Sequence, residues 1–222
     1  SQFIPGKNSP FFTKSELFEY AMIRSDTQKI TCIGTPWAKL YSAKLIKDNN
    51  LLYPVGVKRN QDVVFNLYVF NEAKRVCYLP EALYNYIVWS NSAVNKYWAD
   101  FSSIYLSVVN SMKVFEESIN NSEERNFFEN LLNQRKKYMF HETLKLQFFH
   151  PKRGIIYSEN YKAFVKFLIK SDYLILLQSG NDSLTMAQKI MLLLVKLKMF
   201  RIVYLYYDVM FLYAYKKALF SR

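Results

Sequence analysis

Pro54-Val55-Gly56-Val57-Lys58-Arg59-Asn60-Gln61-Asp62-Val63-Val64-Phe65 is the stretch on which the reading of this chain turns. Pro54 and Gly56 punctuate an extended segment, and Asn60 is a residue type that starts helices. After it, Val64, Phe65, Tyr68, Val69 and Phe70 cluster on one side of a 3.6-residue period. This predicts a helix from Gln61 to about Ala73 with those five residues on its buried face. A single acid, Asp62, then falls in the first turn, where the exposed amides of a helix favour a negative side chain.

Upstream, Gly34-Thr35-Pro36 reads as a turn into Trp37-Ala38-Lys39-Leu40-Tyr41, and Ala38 to Asp48 as a short helix stopped by Asn49-Asn50. Further back, Thr13-Lys14-Ser15-Glu16 has the form of a capping box and predicts a helix to about Arg24. The first twelve residues, with Pro5, Gly6 and Pro10, read as loop. Downstream, Arg75 to Leu79 and Leu83 to Val88 read as two short strands either side of Pro80.

The character changes near residue 98, which divides the chain into 1–98 and 99–222. Phe101, Ile104, Tyr105, Val108, Met112 and Phe115 recur at helical spacing. Asn120-Asn121-Ser122 ends that helix, and Glu123-Glu124 opens another that reaches Phe149. His150 to Gly154 is a loop. Helices are expected at 158–178 and 184–218, separated by Ser179-Gly180-Asn181-Asp182.

Composition narrows the function classes. The 222 residues are 51% apolar and 22% charged, which is globular rather than disordered. Gly is scarce at 5, and neither GxGxxG nor GxxxxGK[ST] occurs, which argues against a glycine-rich phosphate loop. His141 and His150 stand outside any zinc pattern, and a GxSxG elbow is missing. Cys32 and Cys77 sit in apolar settings outside any CxxC pair, so both are expected as small core residues in a reducing, cytoplasmic compartment. The opening residues hold no apolar core of signal-peptide length. A net charge of +12 fits either a nucleic-acid or lipid partner or a lysine-rich solvated surface. No nucleic-acid-binding motif accompanies it, so nucleic acid is not an expected partner.

Three segments in order carry a family resemblance. Trp37-Ala38-Lys39-Leu40-Tyr41 is similar to a W-x-K-L-Y segment, and Gln61-Asp62-Val63-Val64-Phe65 to an acidic pair followed by apolar and aromatic residues. Tyr78-Leu79-Pro80-Glu81-Ala82-Leu83-Tyr84-Asn85-Tyr86 is similar to a strand pair, with Asn91-Ser92 after it. Together, over roughly residues 13–98, they resemble the acceptor half of an inverting family 2 glycosyltransferase of GT-A type. The implied fold is an α/β remnant of that domain followed by a mainly helical region, predominantly α overall.

The resemblance implies transfer of a sugar from a nucleotide-sugar donor to a glycan or lipid-linked acceptor, with surface polysaccharide assembly as the setting. Asp62 would be the general base that takes the acceptor hydroxyl proton. Its other reading is a partner for the helix dipole. Gln61 replaces the family's usual Glu and would support the base through hydrogen bonds. Trp37 would line the acceptor pocket or serve as a core or rim aromatic. Lys39 and Arg59, with Lys58 beside it, would hold phosphate or remain solvated.

A divalent metal ion, Mn or Mg, is implied too, normally held by Asp-x-Asp. The aspartates at 26, 48, 62, 100, 172, 182 and 208 include no such spacing. The opening nucleotide-binding unit is also not found, so the chain is expected to be the carboxyl-terminal portion of a longer enzyme, inactive alone.

Residues 184–222 carry Lys189, Lys196, Lys198, Arg201, Lys216, Lys217 and Arg222 against Asp208 alone. No apolar run approaches the ~20 residues of a spanning helix. A basic, aromatic-rich helix of this kind packs in a core or lies on an anionic membrane surface at the inner face of the plasma membrane. The rival function is therefore a non-catalytic helical module that docks on a membrane or a partner protein.

Overall fold

The computed structural model describes residues 11–23, 34–79, 81, 83–85, 87, 96–154, 157–178 and 186–220. Cys32, Pro80, Tyr86, Asn91 and Ser92 lie outside them. The chain is predominantly α-helical and divides into two compact units, 1–88 with 107–135, and 89–106 with 136–222. Helices α4 (Phe101–Ser118) and α5 (Ser122–Thr143) each run through both.

In the first unit, strand β1 (Phe11–Phe12) leads into α1 (Lys14–Met22) through the expected capping box. The Thr13 hydroxyl accepts from the Glu16 amide at 3.2 Å, and Glu16 accepts from the Thr13 amide at 2.7 Å. Helix α1 buries Leu17, Phe18, Ala21 and Met22 and packs on α3 (Gln61–Glu72). Phe18 meets Phe115 and Phe128 edge-on at 5.6 and 5.5 Å, the geometry that sets positive ring edges against negative faces. In α3, Val64, Phe65, Val69 and Phe70 are buried as expected and Tyr68 is half-buried. The break at 120–122 also holds: Asn121 accepts from the Glu124 amide and starts α5.

Several expectations are corrected here. The helix expected from Ala38 begins only at Ala43, as α2 (Ala43–Asp48). Ala38 is left-handed at φ 56°, which interrupts any helix through it, and Ser42 supplies the cap. The C-terminal stop is as read: Asn50 is left-handed at φ 49° and Leu51 bonds back to Ile46. Strand β2 (Val76–Cys77) pairs antiparallel with β1, Phe11 opposite Cys77 and Phe12 opposite Val76. It does not pair with Leu83–Asn85, which form no strand. The end of the supposed N-terminal loop, delivered beside β2 by α1, takes that place. Cys77 is exposed rather than core, because the alternation of this edge strand turns it outward.

In the second unit, α5 runs on through a π-helical turn, Leu144–Phe148. The widened turn leaves the Phe148 carbonyl to accept from Asn160 and from Arg153, both at 2.8 Å. Arg153 also pairs with Asp208 at 2.8 Å. The single helix expected at 158–178 is two, α6 (Tyr157–Lys170) and α7 (Tyr173–Gln178). The one expected at 184–218 is also two, α8 (Met186–Lys196) and α9 (Phe200–Phe220). Left-handed residues make both breaks, Asp172 at φ 52° and Lys198 at φ 55°.

Candidate functional site

Asn60 stands where α3 begins but is itself left-handed, φ 57°, and its side chain does not cap the helix. It turns instead to Arg135, a buried residue of α5, whose Nη2 donates to Asn60 Oδ1 at 2.8 Å. Nη1 of the same guanidinium donates to the Met22 carbonyl at 3.3 Å. One planar cation thus holds the end of α1 and the start of α3 together, a fixed fork that lysine cannot reproduce.

Asp62 lies two residues on, half-buried in the first turn. Its Oδ1 accepts from the Val63 amide at 2.9 Å. Among the described residues its Oδ2 has no hydrogen-bond partner, and no ion pair neutralises the carboxylate. Two phenols feel its charge. Tyr41 is pushed up to about 12 by burial first, then by Tyr53 and Asp62, against the lowering effect of its bond to Asn66. Tyr53 is raised by burial and then by Asp62. Both rings pack on Phe65, Tyr53 stacked at 4.3 Å and Tyr41 edge-on at 5.7 Å.

Asn66 holds this cluster in place. It is wholly buried one helical turn after Asp62. Its amide nitrogen lies 2.9 Å from the Gly34 carbonyl, 3.2 Å from that of Thr35 and 3.0 Å from that of Asp62. Its oxygen accepts from the Tyr41 hydroxyl at 2.7 Å. Every polar atom of the side chain is therefore used to fix residues 34–41 on α3, as a buried amide requires. Gly34 permits the approach: a Cβ there would stand 3.0 Å from Val63 Cγ2 and 3.1 Å from the Ala21 carbonyl oxygen.

The other expected site residues distribute around this centre. Trp37 is half-buried and stacks on Tyr84, centroids 5.2 Å apart and planes at 14°. Lys39 donates its ammonium to the Thr35 carbonyl, two residues from Trp37. Arg59 and Gln61 are half-buried at the start of α3, beside Asp62 in the chain. Leu40, Leu52 and Val55, of the same unit, are exposed. Tyr53 and Asn66 were not singled out from the sequence, and Tyr41 only as part of a motif. Nothing in spacing marks a buried asparagine as the residue that orders a loop.

Among the described residues no group of three or more His, Cys, Asp or Glu stands together. They do not fit a divalent ion, and the chemistry proposed below does not pass through one. Comparison of the chain with protein-family models, curated proteins and solved structures returns no match.

Proposed function

We propose that the chain is the acceptor-side portion of an inverting sugar transferase, with Asp62 as general base. The observation that carries this reading is a half-buried carboxylate that, among the described residues, has no cation paired with it and no hydrogen-bond donor at its Oδ2. It sits at the positive end of a helix and is flanked by Tyr41 and Tyr53. Sugars lay their C–H faces on aromatic rings, and the Trp37–Tyr84 stack offers such a surface in the same unit. The order of the Trp37–Tyr41, Gln61–Phe65 and Tyr78–Tyr86 segments, which resembles family 2 glycosyltransferases, supports the α/β GT-A assignment for this portion.

In the reaction, Asp62 accepts the proton of the acceptor hydroxyl as its oxygen forms a bond to the anomeric carbon. The bond from that carbon to the nucleoside diphosphate breaks on the opposite face, and configuration inverts. The acceptor is a glycan or lipid-linked sugar. Gln61, one residue before the base, keeps hydrogen-bonding capacity where the family has a charge.

The test is sugar transfer by the full-length polypeptide on a panel of nucleotide sugars. Asp62→Asn is expected to lower kcat by roughly 10²–10⁴-fold with unchanged helix content and melting. Transfer by Asp62→Asn within a few fold of the parent overturns the assignment.

A further inference from the structure

Helices α8 and α9 bury one side each: Met191, Leu192 and Val195 on α8, and Val203, Tyr204 and Phe211 on α9. Their opposite sides are also apolar, and exposed. On α9, Ile202, Leu205, Val209 and Leu212 recur at intervals of three and four and are 44%, 52%, 65% and 54% exposed. On α8, Ile190 and Leu193 are 50% and 57% exposed. A stripe at this spacing needs a covering surface, since soluble proteins rarely leave so long an apolar ridge in water.

The charges beside the stripe identify what covers it. Lys189, Lys196, Lys198 and Arg201 gather before and around the turn between the helices, and Lys216 and Lys217 stand near the far end of α9. All six are exposed. The only acid from 186 to 220 is Asp208, which Arg153 neutralises at 2.8 Å. Both ends of the ridge are therefore cationic, and its middle is uncharged. A second copy laid on it in either direction would set cation against cation. Meanwhile, no helix among the described residues is long and apolar enough to cross a membrane.

We propose that the α8–α9 face docks flat on an anionic phospholipid bilayer. Ile202, Leu205, Val209 and Leu212 enter the boundary between headgroups and acyl chains, and the lysines reach phosphate from both ends, their stems lying along the apolar edge. This stands on the second unit alone and does not depend on the transferase reading.

The experiment is co-sedimentation with vesicles of phosphatidylcholine, alone or with a third phosphatidylglycerol. Wild-type protein is expected to bind the anionic vesicles at least about tenfold more tightly, with the difference shrinking as salt rises. Leu205→Ser with Leu212→Ser, and separately Lys196→Glu with Arg201→Glu, should each reduce binding about tenfold or more while melting stays at the parent value. These positions are solvent-exposed, so folding is not at stake. Asp62→Asn should bind as the parent does. Equal binding to both vesicle types, no binding at all, or variants that bind like the parent overturn the proposal. So does a parent dimer that the Leu205→Ser, Leu212→Ser pair converts to monomer, which would make a second copy the occupant.

Discussion

The Tyr41 hydroxyl donates to Oδ1 of Asn66 at 2.7 Å, and through that bond a loop residue and a helix residue 25 positions apart share one buried polar centre. The amide nitrogen of Asn66 serves the Gly34 and Thr35 carbonyls at the same time. Loop and helix are thus ordered together, and the first turn of α3 with Asp62 is ordered with them.

Asn66→Leu is the sharpest test of that centre. Leucine has similar volume but no polar atoms, so the Gly34 carbonyl and the Tyr41 hydroxyl lose their Asn66 partner, while the Thr35 carbonyl keeps the Lys39 ammonium. Each such loss costs about 1–3 kcal/mol, and some of the loop will reach water. The expected destabilisation is about 3 kcal/mol, read by urea denaturation. A change under ~1 kcal/mol would mean that the loop finds equivalent bonds elsewhere.

The Trp37–Tyr84 stack yields a kinetic prediction under the transferase reading. Tyr84 is 49% exposed, so removing its ring costs little stability but leaves the indole unsupported on that side. Tyr84→Ala is expected to raise KM for the acceptor about tenfold with kcat changed less, the pattern of lost binding rather than lost chemistry. A fall in kcat at constant KM would remove the stack from the acceptor site.

Where the sequence carried strong local chemistry, the architecture was legible in it. The Thr13–Glu16 box, the Asn121 cap and the buried face of α3 each depend on a few neighbouring residues of the right type. The failures have a common physical origin. Ala38 and Lys198 adopt left-handed backbone although neither is the Gly, Asn or Asp that usually signals it, and Asp172 is of a type that visits it only occasionally. Apolar periodicity runs on through Asp172 and Lys198, so the sequence pattern predicts one helix where two exist. The β1–β2 pairing is not legible in the sequence because register between residues at least 64 positions apart is set by tertiary packing, not by local pattern. At the site, Asp62 and Trp37 were marked by their types, whereas Asn66 and Arg135 gain their roles only once α1, α3 and α5 meet.

Lys198 makes the strain argument measurable. Its amide bonds to the Val195 carbonyl at 3.0 Å, and the Met199 amide to that of Leu194 at 2.8 Å. These are the two bonds of a Schellman motif, with lysine at the position glycine normally fills. Left-handed backbone costs a side-chain-bearing residue about 1–2 kcal/mol, partly offset in a glycine variant by its freer unfolded chain. Lys198→Gly should therefore stabilise the protein by about 1 kcal/mol, raising Tm by roughly 2–4 °C in a chain of this size. No rise would show that the side chain makes contacts that repay the backbone cost.

Alkaline pH should unfold this protein earlier than its acid content alone would suggest. Burial raises Tyr41 and Tyr173 to about 12, and raises Tyr207, bonded to Tyr173 at 2.6 Å, well above its ordinary value of 10.0. The unfolded chain ionises these phenols near 10 while the folded chain keeps them protonated. Between those values the native state holds more protons than the unfolded one, so stability falls as pH rises. The contribution is complete below about pH 10 and is lost progressively toward pH 12. Urea denaturation at about pH 9 and about pH 11 should show the midpoint moving sharply downward, and tyrosinate absorbance in the folded protein should lag behind that of the urea-unfolded chain. Tyr173→Phe removes one of the groups, together with its bond to Tyr207, and should flatten the slope above pH 10 even where it lowers stability at neutral pH. Coincident titration of folded and unfolded protein would show that these hydroxyls reach water, and would overturn the buried Tyr173–Tyr207 pair.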